Sequence, residues 1–113
     1  MTTAYSEIID RIAKDHNIKV IQAACVNQSW ACNDEIWLGI YEEPEFHLLS
    51  FFHEMGHHLD KSAWHLDDKA TKYDIEKAAW YLGYILAHKY AVKFSNEAIE
   101  WGQKQLRTYE KYK

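Results

Sequence analysis

His53-Glu54-Met55-Gly56-His57 sets two imidazoles four residues apart with a carboxylate beside the first. On an α-helix, positions i and i+4 lie one above the other on the same face, so both rings can reach one cation. Imidazole and carboxylate donors suit zinc, which does no redox chemistry and keeps a coordination position open in catalytic sites. Glu54 is then placed to act as general base on a water at that position. This chemistry requires a helix. Leu48, Phe52, Met55 and Leu59 recur at intervals of four, three and four, which predicts a helix over about 45–61. Their stripe falls away from the His53/His57 face, as expected if one side packs on a core and the other faces a cleft.

A third protein ligand is needed. Glu76 is the expected one, 19 positions after His57 on a second helical stretch, enough chain for a turn and an antiparallel return. Ala79, Gly83 and Ala87 recur at +4 on roughly the Glu76 face, so another backbone can approach closely there. His65 and Asp67, in the polar connector 62–71, are the alternative third ligands. A ligand six residues after His57 would fall on Ala63, which cannot bind metal. Asp60 shares the histidine face and is a candidate to hold a ligand imidazole in one tautomer, the alternative being a solvated residue at the helix end. His58 follows Glu54 by four and is expected to orient it, to pack, or to face water. Tyr73, one turn before Glu76, is a candidate donor to a developing oxyanion.

The remaining elements must present these groups. Tyr5, Ile8, Ile9, Ile12 and Ala13 predict an amphipathic helix over 4–16. Ile18–Val26 and Glu35–Tyr41 read as strands, joined by a polar loop that carries Trp30 and Cys32, and together predict a β-hairpin. Pro44 suits the first turn of the next helix, where its missing N–H is not needed. A second long helix is expected over about 72–92, and a last one over 96–112, with Ser95 as its cap. The predicted fold class is α+β: a small antiparallel hairpin or sheet segregated from about four helices. The metal-binding pattern lies on the second helix. Ile36–Tyr41, with Gly39 open to close backbone approach, is a candidate edge strand for an extended peptide, the alternative being that Trp37 and Leu38 are ordinary core residues and both edges of the hairpin are covered.

The 113 residues suffice for one domain, 1–113, with a modest core, and 48% hydrophobic content argues against disorder. A formal charge of −4 provides no basic footprint for nucleic acid or an anionic membrane surface. No apolar run approaches the ~18 residues of a membrane span. With no signal peptide, Cys25 and Cys32 are expected as reduced thiols of a cytoplasmic protein rather than as a Cys-x6-Cys zinc pair. No sequence signal sets the oligomeric state.

The H-E-x-x-H pattern with a glutamate on a later helix resembles the gluzincin arrangement of zinc metallopeptidases. The short format, His57 followed by His58-Leu59 and then a Glu76-x-x-Ala79 helix, is most similar to the small ImmA/IrrE-type metallopeptidases of bacteria and their mobile elements. The similarity spans roughly residues 35–90. Where that family usually has a phenylalanine-alanine pair soon after the glutamate, this chain has Trp80-Tyr81-Leu82-Gly83. The resemblance implies a minimal zincin-like domain that hydrolyses peptide bonds of an intracellular protein, such as a helix-turn-helix repressor. The rival expectation is a non-catalytic zincin-like domain that binds a protein partner, its metal structural or absent.

Overall fold

The computed structural model describes residues 3–60 and 71–113. Helix α1 (Thr3–Asp15) leads into strands β1 (Lys19–Val26), β2 (Trp30–Cys32) and β3 (Glu35–Ile40). Helices α2 (Pro44–Leu59), α3 (Lys72–Lys89) and α4 (Asn96–Arg107) follow, and a 3-10 turn closes the chain at Glu110–Tyr112. The architecture is α+β, with a three-stranded mixed sheet beside the helices. No helix among the described residues is long and apolar enough to cross a membrane.

The sheet corrects the hairpin expectation. β1 and β3 run parallel, and β2 pairs antiparallel with β3, in the order β1-β3-β2. The polar loop that was expected between two hairpin strands therefore contains a strand. Asn33-Asp34 makes the tight return from β2 to β3, with Asn33 at a φ of 46°. Residues 27–29 carry the chain past the end of β3, which Gly39 permits: a Cβ there would lie 2.0 Å from Gln28 O. The amide of Gly39 donates to Ser29 Oγ at 2.8 Å, and Asn27 N–H donates to Ile40 O at 2.8 Å. β3 is consequently the central strand, with both edges paired, so it cannot receive a peptide. The free edge on that side belongs to β2.

Ile36 and Leu38 of β3 turn into the core, where they meet Leu48, Phe51, Phe52 and Met55 of α2 and Ile9 and Ile12 of α1. The opposite face carries Trp37, stacked on Trp30 of β2 with centroids 5.6 Å apart. In the predicted apolar stripe of α2, Leu48, Phe52 and Met55 are buried, whereas Leu59 is exposed at the helix end. A second cluster of Leu49, Trp80 and Ala98 joins α2, α3 and α4. Phe46 and Trp101 stack at 4.6 Å beside it.

Helix ends are set by recognisable caps. Pro44 occupies the first turn of α2, and Thr71 with Asp74 forms a reciprocal capping box at the start of α3. Ser95 caps α4 through Ala98 N–H, and both its own N–H and hydroxyl donate to the Glu45 carboxylate at 2.8 Å. That contact ties the starts of α2 and α4 together. It orients α4 so that its C-terminal end reaches the cleft described next.

Candidate metal centre

Two helices supply the site, and glycines set their spacing. A Cβ on Gly56 of α2 would lie 1.8 Å from Ala79 O, and one on Gly83 of α3 would lie 2.5 Å from Phe52 O. Each helix thus presents a bare backbone patch to the other, with Ala79 and Ala87 buried along the seam. At this separation Glu76 reaches across from α3 to both histidines of α2. His53 Nε2 lies 2.9 Å from Glu76 Oε1, and His57 Nε2 lies 3.1 Å from Glu76 Oε2. One donor atom from each of the three residues lies within 4.8 Å of the others, and no other such metal-competent group occurs among the described residues. Two imidazoles and a carboxylate, part-buried and converging from two helices, form a donor set that can hold a metal ion.

The electrostatics follow from this convergence. Burial alone would lower the His53 pKa, but hydrogen bonds and negative charge from Glu54 and Glu76 outweigh it and raise it to about 9. Burial would raise the Glu76 pKa, but hydrogen bonds and positive charge from His53 and His57 bring it down to about 2. His53 Nδ1 faces Glu54 Oε2 at 3.2 Å, so its two ring nitrogens serve different partners. A metal held by His53, His57 and Glu76 would leave the His53 Nδ1–H against Glu54. Trp80, one turn beyond Glu76, lies flat on the His53 ring, with centroids 4.2 Å apart and planes 9° from parallel.

A cavity of about 450 Å³ opens over the three donors. Its walls include Ser29, Trp30 and Ala31 at the β2 edge, Asp60 at the end of α2, Ile75 of α3, and Tyr109. Glu54 forms part of its floor and is only 4% exposed. Burial holds the Tyr109 hydroxyl above the ordinary phenol range, and the negative charges of Glu76 and Glu54 add to that. It is therefore a protonated donor near neutrality.

Other sequence candidates find different places. Asp60 is buried at the C-cap of α2, its amide bonded to Gly56 O at 2.9 Å, and it lines the cavity. His58 does not orient Glu54: its Nε2–H donates to Glu35 O of β3 at 2.8 Å, fastening α2 to the sheet. Tyr73 is absent from the cavity wall, and its ring lies under the Lys113 ammonium at 4.6 Å. His65 and Asp67 lie outside the described residues. Cys25 and Cys32 are free thiols and join no metal-competent group among the described residues. Neither Tyr109 nor Trp80 is among the site residues expected from the sequence. Trp80's i+4 offset from Glu76 was the available signal, whereas nothing local marks Tyr109. Compared with known protein families, curated proteins and solved structures, the chain matches none.

Proposed function

We infer that this chain is a zinc-dependent metallopeptidase whose ligands are His53, His57 and Glu76. The observation that carries the reading is the convergence of these donors beside a buried carboxylate, in a cavity flanked by a free strand edge. A zinc ion bound there would supply Lewis-acid polarisation of a carbonyl and acidify a water. Glu54 takes a proton from the water that attacks the scissile carbonyl and hands it to the amine nitrogen as the C–N bond breaks. His53 Nδ1 at 3.2 Å holds the Glu54 carboxylate in place. Tyr109 is the donor suited to the developing oxyanion, in place of Tyr73.

An extended peptide adds to the outer edge of β2, where Trp30–Cys32 has main-chain groups that pair with no neighbouring strand. The substrate is accordingly a protein segment that can be drawn out as a strand. The resemblance to ImmA/IrrE-type peptidases extends this to an intracellular regulator in a bacterium or mobile element, and to a cytoplasmic, gluzincin-like, zincin-type domain. The test combines zinc content with turnover. Purified full-length protein is expected to hold one zinc per chain, and His53→Ala, His57→Ala and Glu76→Ala each to lose most of it. Glu54→Gln keeps the zinc and loses at least ~10²-fold in peptide hydrolysis. Full zinc in Glu76→Ala would overturn the ligand set. A zinc-loaded wild type that binds a protein partner but cleaves nothing would replace catalysis by the non-catalytic binding role.

A further inference from the structure

Contacts at both ring nitrogens and on one face hold the His53 imidazole. Nε2 lies 2.9 Å from Glu76 Oε1, Nδ1 lies 3.2 Å from Glu54 Oε2, and one face rests on the Trp80 indole. The χ2 torsion of histidine is broad, so the ring takes its plane from what surrounds it. A ring gripped only at its two nitrogens can still tilt about the line joining them. Metal coordination is sensitive to that tilt, because a nitrogen lone pair lies in the ring plane. Trp80 removes the freedom. The two planes are 9° from parallel with centroids 4.2 Å apart, so a tilt drives one edge of the imidazole into the indole.

Trp80 can serve as a reference surface because it is fixed itself. It is 5% exposed and belongs to the cluster with Leu49 of α2 and Ala98 of α4. Trp101 of α4 meets it edge-on at 6.5 Å, and Tyr84 lies one turn further along α3 at 6.1 Å. Glu76 and Trp80 are also one turn apart on α3, hence on one face. The helix that brings the third donor to Nε2 thus brings the flat surface as well. An indole face attracts an electron-poor ring, and imidazole is electron-poor whether it carries a proton or a metal ion. The stack therefore favours the same ring plane before and after loading, which is what preorganisation of a ligand requires.

We propose that Trp80 is a positioning residue of the metal centre: its indole face sets the plane of the His53 ring and so aims Nε2 at the cation shared with His57 and Glu76. The proposal rests on the reading of those three residues as metal ligands and extends it to a side chain that touches no metal. Groups that orient ligands in this way are worth ~10–100-fold in metal affinity when removed. A tryptophan that only filled the junction of α2, α3 and α4 would act on stability and leave the affinity of the folded protein alone.

Zinc affinity by dye competition, the visible spectrum of the cobalt-substituted protein and urea midpoints are measured on the full chain, Trp80→Phe and Trp80→Leu. Phenylalanine keeps a flat face against His53, whereas leucine keeps apolar volume without one. Trp80→Leu is expected to bind zinc ~10–100-fold more weakly and to show an altered cobalt spectrum, while Trp80→Phe stays close to the wild type. In the wild type, the indole ring current should shift the His53 ring protons upfield both without and with zinc, a readout that needs no variant to fold. Wild-type zinc affinity in folded Trp80→Leu, equal losses in both variants, or upfield shifts that vanish on zinc loading would each overturn the positioning role. A wild type that takes up neither zinc nor cobalt would overturn the ligand reading, and the positioning role with it.

Discussion

Replacing Gly56 by alanine tests whether helix spacing controls the metal centre. The new Cβ would lie 1.8 Å from Ala79 O, and ordinary contact begins at 3.4 Å, so the backbones must separate by about 1.6 Å along that line. Neither neighbour can swing aside, because the obstructing atom is main chain. Alanine gains ~1 kcal/mol of helix propensity over glycine. Overpacking of a tight interface costs ~1–3 kcal/mol, so the net stability change is a loss of up to ~2 kcal/mol. The effect on the site is larger. Metal–ligand distances tolerate about ±0.2 Å, and Ala79 sits one turn from Glu76 on the same helix. A shift of this size withdraws Glu76 from the two histidines. Zinc affinity is expected to fall ~100-fold or more, measured by competition with a chelating dye, while circular dichroism still reports a helical fold. Gly83→Ala, whose Cβ would meet Phe52 O at 2.5 Å, behaves alike but more mildly. Gly102→Ala meets only the ends of the Tyr84 and Trp80 side chains and Leu49, and serves as the control in α4. Wild-type zinc affinity in Gly56→Ala would show that the seam does not set the ligand spacing.

Tyr109→Phe removes a hydroxyl from the cavity wall but no ligand, so zinc content should hold while kcat falls ~10²-fold. An unchanged kcat would take Tyr109 out of oxyanion stabilisation. Zinc-stripped protein should be most stable between about pH 4.5 and 6.5, read from urea midpoints. His53, raised to about 9, contributes fully below 6.5 and its contribution disappears as pH rises through 9. Glu76, lowered to about 2, contributes above 4.5, and that contribution disappears as pH falls towards 2. The same protons compete with zinc, so apparent zinc affinity should rise between pH 6.5 and about 9; a flat profile would exclude His53 as a ligand. Ser95→Ala should lower stability by ~1 kcal/mol in urea unfolding, because it removes the α4 cap and one bond to Glu45.

The local elements were legible because local physics specifies them. Period-four apolar spacing marked α2, Pro44 marked its start, Thr71 and Ser95 sit where caps belong, and β-branched runs marked β1 and β3. The reach of Glu76 towards α2 was foreshadowed by the small residues Ala79, Gly83 and Ala87. The complementary glycine, Gly56, sat unread inside the histidine pattern itself. What the sequence could not convey was which strand lies beside which. A parallel β1–β3 pair with β2 outside depends on the 27–29 connection crossing Gly39, a contact between backbones that leaves no mark in residue periodicity. That crossing moved the free edge from β3 to β2. Likewise, Trp80 against His53 and Tyr109 above the donors are products of packing. The first needs α2 and α3 at close range, and the second needs α4 pinned by Ser95 to Glu45. Residue type and spacing determined the metal-ligand chemistry on offer. Only the tertiary structure decided its walls, because those are assembled from segments up to 80 residues apart, from Ser29 to Tyr109.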